Sequence, residues 1–320
     1  MTKQTKAKYQ IRNWGQYNRS LIQRGSITLW FSDDAIEKWF AQPTGDRGRP
    51  QFYSDDAILC ALFIRTVYHQ PLRAAQGFLN SLIELLKLPL KAPSYTQMSR
   101  RGAALGKSLK KLSSRHPKDI VFDSTGFKVY GDGEWKVKKH GTSKRRTWRK
   151  FHVGIDPDSG EIIIAQMTTN GEGSGDAEIA TELLGQLPKG IERIFGDGAY
   201  DSFGFRRGIE SIGAEPCIPP PRDAVIHDES DPAWKKRNDA IKIILGLGGD
   251  DEARKIWKKL IGYHTRSLVE TGIYRLKKIT GPDLRSRGWE QQQAEMNVKC
   301  LIINKMTELG MPKGKWINGG

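Results

Sequence analysis

Apolar residues in the first third of the chain recur every three or four positions, which is the spacing of amphipathic helices. The pattern predicts helices over 35–40, from 54 to about 67, over 72–86 and from 94 onward, and each follows a helix-starting residue: Asp34, Ser54, Pro71 or Ser94. Short helices joined by short breaks are typical of a helix-turn-helix-like DNA-binding domain. A helical bundle with a solvated basic face is the plain alternative.

From residue 117 the pattern changes to short apolar and alternating segments typical of strands. It predicts strands over 119–123, 148–156, 161–168, 193–196 and 215–218, with helices beginning at about 176 and 201. Three strands, a helix, a strand, a helix and a strand predict a mixed α/β sheet domain. Residues 222–255 are polar and interrupted by glycine, which indicates an insertion, and helices resume at about 256.

The domain prediction is therefore a helical DNA-binding domain over 1–116 and an α/β domain over 117–310, with 311–320 as a frayed tail. Charge supports this division. The 320-residue chain carries a formal charge of +16, divided as +13 over 1–118, −2 over 119–200 and +5 over 201–320. A strongly basic first third beside a slightly acidic middle suggests a polyanion-binding module next to a site that needs carboxylates.

Several protein classes are excluded by composition. The longest apolar run, 57–64, is far too short to span a membrane, and the first ten residues contain no apolar stretch of a secretory signal. Three widely spaced cysteines favour neither a disulfide framework nor a thiolate zinc site. We expect a soluble cytoplasmic protein.

Three carboxylates occupy positions that suggest chemistry. Asp123 lies in the first predicted strand, where an unpaired charge would be costly to bury, and Asp197 follows a later strand between two glycines. Glu270 lies in a helix after the last strand. Each has a plain alternative: Asp123 can accept a backbone hydrogen bond, Asp197-Gly198 is a common turn pair, and Glu270 can pair with Arg266 on a surface. Only the three carboxylates taken together indicate a functional site.

The segment around Glu270 adds three residues at related spacing. On one continuous helix Tyr263, Arg266, Glu270 and Lys277 would share a stripe roughly 60° wide. A core stripe would be apolar at these positions, and a solvent-facing stripe seldom includes tyrosine. Two cations and one acid in line suit a helix face that holds a metal ion and grips phosphates beside it.

These residues resemble the DDE transposases encoded by bacterial insertion sequences. The resemblance rests on Asp123 in VFDSTGFKVYGDGEWKVKKHG, on Asp197 in IFGDGAYD, and on the Tyr263, Arg266, Glu270 and Lys277 signature. It extends to IRNWGQYNRSLIQRGS and LRSRGWEQQQAEMNVK, and so covers nearly the whole chain. The resemblance implies a ribonuclease-H-like catalytic fold, an enzyme that binds terminal inverted repeats, and DNA end cleavage followed by strand transfer.

The resemblance also implies that Asp123, Asp197 and Glu270 are catalytic and bind Mg²⁺, for which Mn²⁺ would substitute. Two Mg²⁺ ions roughly 3.5–4 Å apart can activate the attacking oxygen and stabilise the leaving oxygen in phosphodiester cleavage. Mg²⁺ prefers oxygen ligands, so three carboxylates suffice. The alternatives are a metal-dependent endonuclease of the same fold and a DNA-binding regulator whose carboxylates are structural.

Double-stranded DNA, both transposon ends and target, is the expected partner. Residues 136–150 contain eight Lys or Arg and no acid, next to Trp135, a pattern that suits a DNA groove. Two ends must be brought together, so we expect a homodimer or larger complex on nucleoid DNA, and no membrane contact. The predicted DNA-contacting residues are Tyr263, Arg266, Lys277, Lys138, Lys139, Arg145, Arg146, Arg149, Arg100, Arg101 and Trp135.

Overall fold

The computed structural model describes residues 8–43, 45, 50–109, 112–129, 147–169 and 175–317. The chain divides into two compact units, Met1–Gly102 together with Ile302–Gly320, and Ala103–Leu301. No helix in the described ranges is long and apolar enough to cross a membrane.

The first unit is built mainly from helices, as the sequence pattern predicts. Ser54 caps the helix that carries the buried residues Ile58, Leu62 and Ile64, because its hydroxyl accepts a hydrogen bond from the Ala57 amide at 3.1 Å. The elements beginning in this unit are β1 (Lys8–Ile11), α1 (Trp14–Gln23), α2 (Ile27–Trp30), α3 (Asp33–Glu37), α4 (Asp55–Val67), α5 (Leu72–Leu85) and α6 (Tyr95–Ser108).

Two expectations for this unit are wrong. The unit is not all-helical, and residues 314–317 of the predicted tail are not frayed, because β8 (Gly314–Ile317) pairs antiparallel with β1. Asn13 reinforces the pairing by accepting from the Lys313 amide and donating to the Met311 carbonyl. Local sequence pattern could not reveal a strand pair whose members are about 300 residues apart, since each strand is too short to carry a clear alternation.

The second unit contains the mixed sheet predicted from the sequence. Its elements are β2 (Asp119–Val129), β3 (Trp148–Ile155), β4 (Ile162–Thr169), α7 (Asp176–Leu184), β5 (Arg193–Phe195), α8 (Phe203–Ser211), β6 (Glu215–Cys217), α9 (Pro232–Gly246), α10 (Asp251–Leu260), α11 (Ser267–Thr280), β7 (Asp283–Leu284) and α12 (Trp289–Glu308). The strand order is β4-β3-β2-β5-β6, and β7 pairs with the end of β2.

Strand direction in this sheet defines the fold. The β2, β3 and β4 strands form an antiparallel meander, whereas β5 and β6 run parallel to β2. An antiparallel meander followed by parallel strands joined through helices is the ribonuclease-H-like arrangement, so the expected fold is confirmed. The first strand is longer than predicted, because it continues beyond Asp123 to Val129.

Side-chain alternation along β2 gives the sheet two different faces. Ile120 and Phe122 belong to a buried core with residues of α7 and α8, including Leu183 and Phe205. Because successive strand residues point to opposite faces, Asp123 and Thr125 project to the other face, which α11 covers. The middle strand therefore carries an apolar core on one side and a carboxylate on the other.

The segment predicted as a polar insertion is largely helical. It contains α9 and the first half of α10, and the two helices pack through buried Ala240, Ile244, Ala253 and Trp257. The polar composition did not indicate helices, because these helices bury only narrow apolar stripes and many of their remaining positions are charged. Helices therefore resume at Pro232, not at about residue 256.

Candidate active site

Asp123 is fixed near the middle of β2. Its Oδ1 accepts a hydrogen bond from the Ser124 amide at 2.8 Å, and its side chain is only 17% exposed. The parallel partner of β2 is β5, in which Phe195 pairs with Val121. The chain leaving β5 therefore passes close to Asp123, which brings the second acid to the same end of the sheet.

Asp197 lies two residues beyond the end of β5. Its Oδ1 accepts from the Ala199 amide at 2.9 Å and begins a short 3-10 helix, Gly198–Tyr200. The other oxygen, Oδ2, remains directed toward the Asp123 side of the sheet, where it meets Arg266. The turn expected at Asp197-Gly198 is therefore present. It uses only one of the two carboxylate oxygens of Asp197, and the other oxygen faces the acid cluster.

One guanidinium joins all three acids. Arg266 Nη2 lies 3.3 Å from Asp123 Oδ2 and 3.3 Å from Asp197 Oδ2, while Nη1 pairs with Glu270. The two aspartate oxygens are therefore no farther apart than twice that distance. Carboxylates separated by more than 70 positions along the chain converge on a single guanidinium, which the sequence had suggested as a phosphate contact.

The four-residue signature does not lie on one helix. Tyr263–Arg266 forms a 3-10 helix, and α11 begins at Ser267, so only Glu270 and Lys277 share an α-helix. The expected stripe is wrong in geometry because the first turn, Tyr263–Arg266, is a 3-10 helix with three residues per turn, which shifts Tyr263 and Arg266 relative to the positions they would hold on an α-helix.

The signature residues nevertheless face the same site. The Tyr263 hydroxyl donates to the Gly196 carbonyl at 3.2 Å, next to Asp197. Lys277 Nζ donates to Thr125 Oγ1 at 2.6 Å, two residues along β2 from Asp123. A 3-10 turn followed by a helix thus delivers all four side chains to the edge where β2 and β5 meet.

Burial and negative charge govern the electrostatics of the cluster. Burial raises the pKa of Asp123; the Ser124 amide and the Arg266 charge oppose this, and the charges of Asp197 and Glu270 add to it. Burial raises the pKa of the Tyr263 phenol to about 12, so this hydroxyl stays neutral at physiological pH. Burial also lowers the pKa of Lys277. Three carboxylates share one guanidinium and retain an uncompensated negative charge.

The chemistry of this donor set fits a divalent cation. Carboxylate oxygens are the ligands that Mg²⁺ and Mn²⁺ take in proteins, and the uncompensated charge favours a cation. Among the described residues, no three His, Cys, Asp or Glu side chains are already arranged around a common metal position. The Arg266 guanidinium lies between the acids, so Asp123, Asp197 and Glu270 could hold a metal together only after Arg266 is displaced.

The remaining predicted DNA contacts divide into three groups. Arg149 donates to Gln292 at 2.8 Å and stacks over the Trp289 ring, so it lies outside the acid cluster. Arg101, in the first unit, is held by Asp55 and the Tyr53 carbonyl, whereas Arg100 is exposed. Lys138, Lys139, Arg145, Arg146 and Trp135 lie outside the described residues.

Sequence reasoning missed a buried polar cluster on the opposite face of β2. His152 is 1% exposed and lies 3.2 Å from Asp176 through Nδ1 and 3.0 Å from Thr168 through Nε2. Lys150 donates to Asp176 at 3.0 Å. Burial alone would raise the pKa of Asp176, but hydrogen bonds from His152, Ser124 and Lys150 outweigh it and hold this pKa well below its ordinary value. Lys150 and His152 lie two positions apart on β3, and this spacing could have indicated that one face of the strand carries polar groups.

A second missed feature is a buried ion network just beyond Asp197. Asp201 is 2% exposed and accepts from Arg206 at 2.6 Å and from Arg237 at 3.0 Å. These two arginines also donate to the carbonyls of Ile218 and Val225. The network ties α8 and α9 to the segment that carries Asp197. The spacing of these residues did not predict the network, because α9 lies in the segment that the sequence indicated to be an insertion.

Comparison with known proteins identifies the family. Two family models, each described as a transposase DDE domain, match residues 22–132 and residues 114–305. The second match covers more than half of the chain. With the fold and the acid cluster, it defines a DNA-cleaving and strand-transferring enzyme, and the chain belongs to the DDE transposase family. Enzymes of this family depend on divalent metal ions.

Three solved structures show low similarity to this chain. A piggyBac transposase synaptic complex with hairpin DNA is 9% identical, with 94% of this chain and 76% of that chain covered and a TM-score of 0.39. A Mos1 transposase paired-end complex is 16% identical, with coverages of 76% and 85% and a TM-score of 0.24. A simian T-cell lymphotropic virus intasome is 14% identical, with coverages of 65% and 68% and a TM-score of 0.23.

Proposed function

We propose that this chain is the transposase of a bacterial insertion sequence. It binds the terminal inverted repeats of its element and, with Mg²⁺, cleaves the DNA ends and joins them to a target. The observation that carries the proposal is the convergence of Asp123, Asp197 and Glu270 on one guanidinium. Mn²⁺ would substitute for Mg²⁺, since both accept the same oxygen ligands. The place of action is the bacterial cytoplasm, where the nucleoid DNA lies.

The three acids are the proposed metal ligands. Asp123 lies on the central strand of the sheet, and it would hold the metal together with Asp197 and Glu270. Bound metal supplies activation of the attacking water or 3′-hydroxyl and stabilisation of the leaving oxygen. Both end cleavage and strand transfer are displacements at phosphorus, so one site can serve both.

Arg266, Tyr263 and Lys277 are the proposed DNA contacts beside these acids. With a cation held by the acids, the Arg266 guanidinium would be free to form paired hydrogen bonds with a phosphate. Tyr263 keeps its phenolic proton and anchors the 3-10 turn to the Gly196 carbonyl. Lys277, held by Thr125, places its ammonium beside β2.

Further DNA contacts are proposed outside the acid cluster. Arg100 and Arg101 in the first unit, Arg149 in β3, and the basic stretch with Trp135, Lys138, Lys139, Arg145 and Arg146 would bind the duplex flanking the cleaved bond. Joining two ends at one target requires two active sites, so we propose a dimer or larger complex on DNA. The first unit would supply much of the phosphate binding, which makes affinity strongly salt-dependent.

The test is an end-processing assay with the full chain. Labelled duplexes ending in the element's terminal repeat are incubated with unlabelled target DNA and Mg²⁺, and the products are separated on a denaturing gel. Cleavage at the repeat boundary followed by joined products is expected. Cleavage without joining would indicate an endonuclease of the same fold. Binding without cleavage in either Mg²⁺ or Mn²⁺ would indicate a DNA-binding regulator and refute the proposal.

A further inference from the structure

An open cavity lies beside the second acid. Its volume is about 510 Å³, within the roughly 300–1,000 Å³ range of ligand sites in proteins. One wall is the proline run 219–221 that follows β6, and the other is α10. Gly198, the residue directly after Asp197, contributes to the lining. The cavity therefore begins where the acid cluster ends.

The lining is strongly basic. Arg222, Arg254, Lys255 and Lys258 contribute four cations, and Asp251 is the only acid among the lining residues. Asp251 is engaged by Arg222 at 2.8 Å, which leaves the other three cations without a lining carboxylate to balance them. Proline has no backbone N–H, so the 219–221 wall offers no amide donors, and the basic side chains are the main groups that could bind an anion here.

Arg254 is held in place before any ligand arrives. Its Nη1 donates to the Pro220 carbonyl at 2.8 Å and its Nη2 to the Pro221 carbonyl at 2.9 Å. A guanidinium has five N–H groups, so these two contacts fix its plane and leave donors available. Fixing the group in advance lowers the entropy lost when it binds a phosphate.

Lys258 connects the cavity to the acid cluster. Its Nζ lies 5.2 Å from the centre of the Tyr263 ring, and the hydroxyl of that ring donates to the carbonyl of Gly196. Among the residues that the structure describes, no carboxylate lies within ion-pairing distance of Lys258. Lys255, one helical turn earlier, is paired only with exposed Glu252. A path of positive charge thus leads from the cavity toward Asp197.

We infer that this cavity binds backbone phosphates of the DNA strand that enters or leaves the acid cluster. The inference rests on the proposed function and extends it, because it assigns a DNA-contacting role to the Pro219–Pro221 wall and α10, outside the signature residues. Arg254 supplies oriented donors, and Lys255 and Lys258 supply point charges. The contacts are to phosphates, so they position the strand without reading its sequence.

Cross-linking through Lys258 tests the location. Cys60, Cys217 and Cys300 are all buried, whereas Lys258 is partly exposed, so Lys258→Cys introduces an accessible thiol that a thiol-specific photo-cross-linker can label selectively. Transposon-end DNA and target DNA carry different labels. Cross-links within a few nucleotides of the cleaved phosphodiester are expected, and the label identifies which DNA occupies the cavity. Lys242→Cys, exposed on α9 and outside the cavity, is the control; equal yields from the two variants would overturn the inference.

A salt titration tests the energetics independently. Lys255→Gln/Lys258→Gln should make the dependence of log affinity on log salt shallower by about 2, since each lost phosphate contact contributes about 0.9. Lys235→Gln/Lys259→Gln removes the same charge from exposed positions outside the cavity and should leave the slope nearly unchanged. If both pairs give the wild-type slope while the wild type cleaves the end, only the cavity assignment fails. A wild type that does not cleave refutes the proposed function instead.

Discussion

The buried network around Asp201 allows a quantitative prediction about the scaffold of the acid cluster. The Asp201→Asn substitution keeps the shape of the side chain and removes its charge. Arg206 and Arg237 are only 1% and 7% exposed, so both guanidiniums would remain buried without a counter-ion. Burial already lowers the pKa of Arg206 against the opposing charge of Asp201. Losing that charge leaves the full desolvation cost of two cations.

The expected loss of stability is large for a single substitution. Breaking a buried ion pair by removing one partner costs about 3–5 kcal/mol. For the unit Ala103–Leu301, whose size lies in the range where 1 kcal/mol corresponds to about 2–4 °C in Tm, the loss amounts to about 6–20 °C. An exposed ion pair gives the comparison: Lys242→Gln breaks the pair with Glu229, each side chain more than a third exposed, and should leave the stability nearly unchanged.

Urea unfolding followed by far-UV circular dichroism measures both variants against the wild type. The m-value shows whether each variant unfolds over the same surface. A loss for Asp201→Asn as small as that for Lys242→Gln would refute the claim that the Asp201 network holds the segment after Asp197.

Three further predictions test separate features. Lys277→Gln should weaken binding of end DNA and make the slope of log affinity against log salt shallower by about 0.9. Lys278→Gln, which is exposed on the same helix, should change the affinity less. Fluorescence anisotropy at several salt concentrations distinguishes the two variants. Because the pKa of Asp176 is depressed in the folded state, its stabilisation is present above the unfolded pKa of about 3.9 and is lost as the pH falls, so Asp176→Asn should show a shallower acid loss of the urea midpoint than the wild type. Gly106→Ala should destabilise by about 1–3 kcal/mol, because its Cβ would lie 2.4 Å from the Ala294 Cα, whereas Gly77→Ala, open to solvent within α5, should stabilise by about 0.5–1 kcal/mol in thermal unfolding.

The sheet was predictable because its strands are marked by local pattern. Apolar Val121 and Phe122 precede Asp123, and β3 and β4 contain runs of buried, mostly β-forming residues on either side of a turn. The order of strands and helices then determines the topology almost uniquely, since parallel strands need helical crossovers. The convergence of Asp123 and Asp197 follows from this topology alone, because β2 and β5 are parallel neighbours.

The position of Arg266 was not predictable from the same information. Sequence spacing suggested one helix from Tyr263 to Lys277, in which Arg266 would stand beside Glu270 as a phosphate contact. The 3-10 turn instead directs its guanidinium between Asp123 and Asp197. Such a placement depends on tertiary contacts of both aspartates, which no local pattern encodes.

The pairing of β1 with β8 and the helices of the supposed insertion escaped prediction for a related reason. Short strands and narrow apolar stripes carry little signal until a distant partner is known. The His152 and Asp176 contact also joins residues from different elements, although Lys150 and His152 on one strand face hinted at a polar surface there.

The most direct test of the central claim compares binding and cleavage of the same DNA end by wild type and Asp123→Asn. The substitution is isosteric and retains an oxygen that can accept from the Ser124 amide. If Asp123, Asp197 and Glu270 form the metal site, the variant binds the end with near wild-type affinity, and its cleavage in Mg²⁺ falls to background. Cleavage that persists in Asp123→Asn would contradict the metal-site assignment. Loss of DNA binding together with cleavage would make Asp123 a structural carboxylate.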